Sequence, residues 1–326
     1  MPELTFGKAI NEALTEEMRR DETVFLIGED VAEAGTPFKV VSGLVEEFGT
    51  KRVVDTPISE PGFMGLGVGA AMTGLRPVVD LMFGDFLGLV MDQLCNQAAK
   101  ARYMSGGTLQ VPLTLRTTLG ATRRSAAQHS QSLQAWVAHM PGLKVALPST
   151  PADAKGLLKT AIRDDNPVVF FEDKMDYTVK GEVPDDEDFT LPLGVADVKR
   201  EGEDITVVAT SSMVRVALAA AELLEDDGIS LEVVDPRTIV PLDTDTIVRS
   251  VEKTGRAIVV DEGHESYGVT AEIAARIADR AFWALDAPVK RLGAMDVPVP
   301  FSPTLEDVTV PTPETLARTA RELVGK

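Results

Sequence analysis

Apolar positions along this chain alternate between two spacings. Phe6, Ile10, Leu14 and Met18 recur every four residues behind Thr5, which predicts a capped helix over residues 6–20. Val24–Ile27 is a short apolar run that stops at Gly28-Glu29-Asp30, the pattern of a buried strand. The same alternation predicts strands near Arg52–Val54, Pro77–Met82, Val111–Leu115, Lys144–Leu147 and Val168–Phe171. Helices are predicted between them over Pro61–Thr73, Phe86–Met104, Ala126–Ala138 and Pro151–Arg163. Lys180–Leu193 (KGEVPDDEDFTLPL) breaks the rhythm with two prolines and five acids and reads as a linker. Beyond it come strands at Ile205–Ala209, Leu231–Val234, Ala257–Val260 and Val289–Leu292. Helices are predicted at Val214–Asp226, Thr244–Lys253, Thr270–Leu285 and Glu314–Val324, the last behind a proline-rich stretch, Val297–Pro313. Short strands alternating with helices predict an α/β protein with a doubly wound, mostly parallel sheet and a second, smaller C-terminal α/β domain. The expected division is 1–185 and 186–326.

Composition narrows the function classes. The 326 residues carry Asp+Glu 51 against Lys+Arg 32, a net charge of -19. Such a chain repels nucleic acid and anionic membranes; the charge otherwise reads as solubility or adaptation to a salt-rich cytoplasm. Its one cysteine, Cys95, lies in an apolar helical run, so no disulfide framework is possible and a reducing, cytoplasmic location is expected. The N-terminal stretch MPELTFGKAINEAL reads directly as an amphipathic helix, so no targeting segment is expected. No run approaches the roughly 20 apolar residues needed to span a bilayer. Three scattered histidines make a zinc site a poor expectation.

Three segments could carry chemistry. In DTPISEPGFMGLGVGAAMTG, Asp55–Gly74, Glu60 stands immediately before Pro61, at a strand-to-helix junction where ligand groups gather in open α/β sheets. Taken alone, Glu60 could equally be a helix-end carboxylate favoured by the dipole. The glycines there lack the spacing of a dinucleotide fingerprint, and no P-loop occurs. DLMFGDF, Asp80–Phe86, offers aromatics for the core or for stacking on a planar ring. In SAAQHSQSLQAW, His129 begins a predicted helix in the most polar setting of the three histidines. It is either an acid/base candidate or a surface residue. His264, in DEGHESYG, has no evident role. A Ser-His-Asp hydrolase lacks its G-x-S-x-G elbow here.

Together the stretches VFLIGEDV, RVVDTPISEPGFMGLGVGAAMTGLRPVVDLMF, MDQLCNQAAKARYMSGG, AAQHSQS, PGLKVALPSTPADAKGLLKTAIRDDNPVVFFE and DVPVPFSPTLED make the chain resemble, over nearly its whole length, the β subunit of the E1 component of thiamin-diphosphate-dependent 2-oxo acid dehydrogenase complexes. The resemblance implies a transketolase-like pyrimidine-binding domain followed by a transketolase C-terminal-like domain. It implies that Glu60 hydrogen-bonds the cofactor's pyrimidine nitrogen and shares a proton with it. Glu29 would be a nearby acid, and Ile58, Met82 and Phe86 would line or stack on that ring. His129 would be a proton donor near the substrate and the incoming lipoyl group. Leu113, Ala161, Ile162, Asp164 and Asn166 match positions that hold potassium in some relatives, mostly through carbonyl oxygens suited to a hard cation.

The chain lacks the Gly-Asp-Gly motif with which such enzymes hold Mg²⁺ and the diphosphate. The resemblance therefore implies an E1 α subunit supplying that half, an α2β2 assembly active only when complete, and docking of the E2 acyltransferase, expected on the smaller domain. The expected reaction is decarboxylation of a 2-oxo acid, with pyruvate foremost, and acyl transfer to lipoamide. Acetoin cleavage and branched-chain 2-oxo acids are the alternatives, and a non-catalytic assembly protein of the same fold is a remote one. Arg123 and Arg124, ahead of His129, are no fixed feature of the family. They could bind a substrate carboxylate, pair with the partner, or be solvated.

Overall fold

The computed structural model describes residues 1–325. The chain divides into two compact units. Unit 1 is Met1–Leu119 with Trp136–Leu193; unit 2 is Gly120–Ala135 with the chain from Gly194 onward. The first unit thus runs on past residue 185. Leu191 and Leu193 pack on its core, Leu191 N donates to the Gly156 carbonyl at 3.1 Å, and Thr160 Oγ1 donates to the Leu191 carbonyl at 2.7 Å. The excursion Gly120–Ala135 has no signature in the hydrophobic pattern.

In unit 1, strands β2 (Val24–Gly28), β3 (Val53–Asp55), β4 (Arg76–Leu81), β5 (Thr114–Leu119), β6 (Lys144–Ala146) and β7 (Val168–Asp173) lie parallel in the order β6-β7-β5-β4-β2-β3. A small antiparallel pair joins β1 (Glu3–Thr5) to β8 (Lys180–Glu182), Glu3 opposite Glu182. The expected linker therefore begins as a strand, and Val183 after it is fully buried. Helix α1 (Phe6–Arg20) starts as predicted, with Thr5 accepting the Lys8 amide at 3.2 Å. Its Phe6, Ile10, Leu14 and Met18 are at most 1% exposed, and burying each stabilises the fold by about 1.5–3 kcal/mol. They pack with Leu157, Leu158, Ala161 and Ile162 of α7 (Pro151–Arg163), which Thr150 caps and Pro151 opens. Charges close the same seam: Lys159 meets Glu16 at 2.6 Å and Arg163 meets Glu17 at 2.6 Å.

Between these elements come α2 (Leu44–Phe48) and α3 (Glu60–Met72). The predicted helix over Phe86–Met104 is broken into a 3₁₀ turn Gly84–Phe86, α4 (Leu87–Met91), a π-helical stretch Asp92–Ala98 and α5 (Ala99–Met104). Strand β5 starts three residues after the expected Val111. Pro112 has no N–H for a ladder, and the Leu113 amide is spent on the Val111 carbonyl at 2.8 Å. The helix expected over Ala126–Ala138 shrinks to α6 (Gln134–Ala138); ahead of it Thr122, Arg124 and Ala126 take left-handed φ of 65°, 61° and 59°.

Unit 2 holds β9 (Asp197–Arg200), β10 (Ile205–Ala209), β11 (Leu231–Asp235), β12 (Thr238–Val240), β13 (Ala257–His264) and β14 (Lys290–Ala294). Five of these form a sheet in the order β14-β13-β10-β11-β9, antiparallel only at the β9 edge. Helices α8 (Met213–Leu223), α9 (Thr244–Thr254), α10 (Val269–Arg280), α11 (Pro303–Glu306) and α12 (Pro313–Val324) complete it. Ala217, Ala220 and Ala221 of α8 share one core with Leu316, Ala317 and Ala320 of α12. The small side chains on both helices allow close approach. No helix among the described residues is long and apolar enough to cross a membrane.

Candidate functional site

The sequence-predicted residues of unit 1 leave the carboxyl ends of three adjacent strands. Glu29 follows β2, Ile58 and Glu60 follow β3, and Met82 and Phe86 follow β4. After β3 the chain crosses back through α3 to pair β4 on the other side of β2, so β2 and β4 flank the point where strand order reverses. That crevice is where open α/β sheets bind ligands. Glycine lets the strands close up there. A Cβ on Gly28 would lie 2.6 Å from the Asp80 carbonyl oxygen, and one on Gly67 of α3 would lie 2.7 Å from Val79 Cγ2.

Glu60 is the first residue of α3, followed by Pro61, and is 8% exposed. Glu29 Oε1 accepts the backbone amide of Ser59, the N-cap, at 3.2 Å, so one carboxylate fixes the helix end that carries the other. Burial pushes the Glu29 carboxyl up, and the neighbouring Glu60 charge adds to it, against the opposing Ser59 hydrogen bond. Thr56 Oγ1, four residues before Glu60, is buried without a hydrogen-bond partner. Ile58 stands 85% exposed. Phe86 meets Phe83 edge-on at 5.8 Å, Phe83 meets Phe38 at 5.5 Å, and the Met82 carbonyl accepts Thr118 Oγ1 at 3.1 Å. Two neighbouring acids, an apolar and aromatic border and an orphaned hydroxyl fit a flat, nitrogen-bearing ring with one apolar face.

A raised carboxyl makes a linkage prediction. A carboxyl whose folded pKa lies above its unfolded value favours folding when protonated, and that contribution disappears as pH rises through the folded pKa. Glu29→Gln is therefore expected to raise the melting temperature of the isolated chain at pH 7 and to leave it unchanged near pH 4. An equal shift at both pH values would refute the electrostatic cause.

Beneath the crevice lies a charge cluster that the sequence reading missed. Arg116 of β5 is 3% exposed. It donates to Glu172 of β7 at 2.6 and 2.9 Å and pairs with Asp80 of β4, and Tyr177 Oη donates to Glu172 at 2.8 Å. Burial alone would lower the Arg116 pKa; Asp80 and Glu172 outweigh it and raise it. Burial raises Asp80, against Arg116. The available signal was an arginine inside an otherwise uncharged strand, TLRTTL.

The five potassium candidates gather around the end of α7 and the entry to β5. The Leu113 carbonyl accepts the Val168 amide at 2.9 Å and the Ala161 carbonyl accepts the Asp164 amide at 3.3 Å. The Ile162 and Asp164 carbonyls each accept Arg76 Nη1 at 3.1 Å, the Asp164 carboxylate pairs with Lys144, and Asn166 Oδ1 accepts Arg102 at 2.6 Å. Two of these carbonyls thus already serve a guanidinium.

His129 belongs to unit 2 and not to the unit of Glu60. Its loop is in left-handed backbone at three non-glycine residues, each costing about 1–3 kcal/mol that the surrounding contacts must offset. Arg124, partly exposed, pairs within the chain with Glu306 at 2.7 Å and Asp307 at 2.6 Å. Arg123 is exposed and makes interactions of its own. His264 Nδ1 lies 2.7 Å from the Met295 carbonyl, joining the ends of β13 and β14.

Residues 2–180 match the family described as "Transketolase, pyrimidine binding domain" and residues 194–316 "Transketolase, C-terminal domain". The chain is 53% identical to the acetoin:2,6-dichlorophenolindophenol oxidoreductase subunit beta of Bacillus subtilis, across 99% of this chain and 98% of that one. It is 50% identical to the pyruvate dehydrogenase E1 component subunit beta of Rhizobium meliloti, across 95% and 68%. It is 47% identical to the 2-oxoisovalerate dehydrogenase subunit beta of Bacillus subtilis, across 99% of each. A solved structure described as "Split gene transketolase, inactive beta4 tetramer" superposes with a TM-score of 0.80 at 22% identity, over 99% of this chain and 98% of that one, a likeness of fold. The chain belongs to the family of E1 β subunits of the pyruvate, acetoin and branched-chain 2-oxo acid dehydrogenase complexes.

Proposed function

We propose that this chain is the β half of a thiamin-diphosphate-dependent E1 that decarboxylates a 2-oxo acid, pyruvate foremost, and passes the acyl group to lipoamide on E2. The observation that carries the reading is the Glu29–Ser59–Glu60 junction at the strand-order reversal. Bound there, thiamin diphosphate would supply the carbon nucleophile and the electron sink that decarboxylation needs. Glu60 would share a proton with a pyrimidine nitrogen, held in place by its position on the first turn of α3. Ile58, Met82 and Phe86 would border the ring, and Glu29 would keep the helix start in register. His129, carried by the second unit, would deliver a proton during acyl transfer.

Among the described residues no group of three or more His, Cys, Asp or Glu is placed to hold a metal ion, and no Gly-Asp-Gly occurs in the sequence. Mg²⁺ and the diphosphate are assigned to an α subunit, in an α2β2 assembly. Acetoin remains the second reading, since the 53% identical relative is named for it. A potassium ion at Leu113, Ala161, Ile162, Asp164 and Asn166 would share two carbonyls with Arg76.

One reconstitution tests these assignments. The chain is expected to be inactive alone. It should become active with its α subunit, thiamin diphosphate, Mg²⁺ and lipoylated E2, fastest on pyruvate. Turnover by the lone chain would overturn the shared site. Preference for acetoin or a branched-chain acid would replace the substrate, and equal stability in potassium and sodium chloride would remove the ion.

A further inference from the structure

The second unit has its own point of strand-order reversal, and the chain fills it with a piece of itself. β10 continues to β11 on one side, while β13 pairs β10 on the other and continues outward to β14. The crevice between the carboxyl ends of β10 and β13 is the position at which such sheets take ligands. Here the groups at those ends hold the loop Gly120–Ala135. Asp261 of β13 accepts Gln134 Nε2 at 2.7 Å, the Gly263 amide at 2.7 Å, and Thr210 Oγ1 from the end of β10. Glu262 accepts the Ala121 amide at 2.8 Å. The two ends of the loop are therefore pinned to consecutive carboxylates of one strand.

The middle of the loop is held separately. Arg124 Nη1 reaches Glu306 Oε2 at 2.7 Å and Asp307 Oδ1 at 2.6 Å, where α11 ends. Glu306 is completely buried, and its other oxygen, Oε1, has no hydrogen-bond partner among the described residues, so Arg124 is the cation that balances this carboxylate. This pull falls on the stretch in which Thr122, Arg124 and Ala126 are left-handed. The next turn is closed by the His129 amide donating to the Ala126 carbonyl at 3.4 Å. A backbone this unfavourable persists only where side chains compel it.

We propose that Arg124, Glu306 and Asp307 form a positioning clamp that sets the place of His129 for acyl transfer, with the C-terminal unit as its seat. The inference rests on His129 as the proton donor. Arg124 does not touch substrate in it; it acts through the loop backbone.

The test uses the reconstituted assembly and four variants: Arg124→Lys, Arg124→Met, Arg124→Met with Glu306→Gln, and His129→Ala. The double variant removes the buried charge with its partner, so it retains a folded unit even if Arg124→Met alone does not. It is expected to lower lipoyl-coupled kcat about tenfold to a hundredfold, while KM for the 2-oxo acid and the rate with a dye acceptor stay within about twofold. Arg124→Lys should recover most of the loss. Amide exchange across residues 120–135 should quicken in the double variant. A double variant with fast loop exchange and full lipoyl-coupled kcat overturns the positioning role, and unchanged loop exchange overturns the clamp. If His129→Ala leaves lipoyl-coupled turnover intact, the reading of His129 fails instead, and the exchange result still decides whether the clamp orders the loop.

Discussion

Glu60→Gln is expected to cut turnover of the reconstituted enzyme by about a hundredfold to ten-thousandfold, the range carried by a positioned acid/base group. Glutamine keeps the size of the side chain and its place before Pro61 but has no carboxyl proton to share. The structural cost should be small. Loss of a carboxylate at the start of a 13-residue helix forfeits about 0.3–1 kcal/mol of dipole interaction, and removing the charge beside Glu29 offsets part of it. Assembly with the α subunit and the melting temperature should therefore match the parent while proton exchange at C2 of bound thiamin diphosphate slows to its rate in solution. Parental exchange with Gln at 60 would remove Glu60 from the chemistry. Loss of assembly together with activity would make it a structural residue instead.

The second large effect is on stability. Arg116→Met should destabilise unit 1 by about 3–5 kcal/mol, because it strands Asp80 and Glu172, two carboxylates 4% and 1% exposed, without their cation. In calorimetry the unfolding transition of unit 1 should fall by roughly 6–20 °C. The sign with pH follows from Asp80. Its carboxyl is already raised by burial against the pull of Arg116, and removing Arg116 raises it further. A raised carboxyl favours the fold when protonated, so the variant should regain part of its loss as pH falls through the carboxylate range. Adding Asp80→Asn and Glu172→Gln should restore part of it at neutral pH. A melting temperature within about 1 °C of the parent would show that the cluster contributes little net stability. The same measurement reports on the site, since Asp80 also abuts Gly28 at the rim of the crevice and adds to the raising of Glu29.

Much of this protein was legible in one dimension. Period four in Phe6, Ile10, Leu14 and Met18, and short apolar runs between capped helices, dictate helices and strands through burial alone, which is local enough to read from spacing. Glu60 before Pro61 marked a strand-to-helix junction for the same reason: proline restricts its own backbone and that of its neighbour. The motif resemblance added the family, and with it an expected role for His129. The tertiary structure alone decided what depends on partners distant in the chain. Arg116 meets Asp80 and Glu172 across 36 and 56 residues. Arg124 meets Glu306 across 182, which ties a partly exposed arginine to a buried carboxylate. The loop Gly120–Ala135 left its helical pattern because those long-range contacts, with Asp261 and Glu262, outweigh the propensity of an alanine-rich segment. Local preferences of a few tenths of a kcal/mol per residue set the elements, and buried charges costing several kcal/mol when unpaired set where the loops between them had to go.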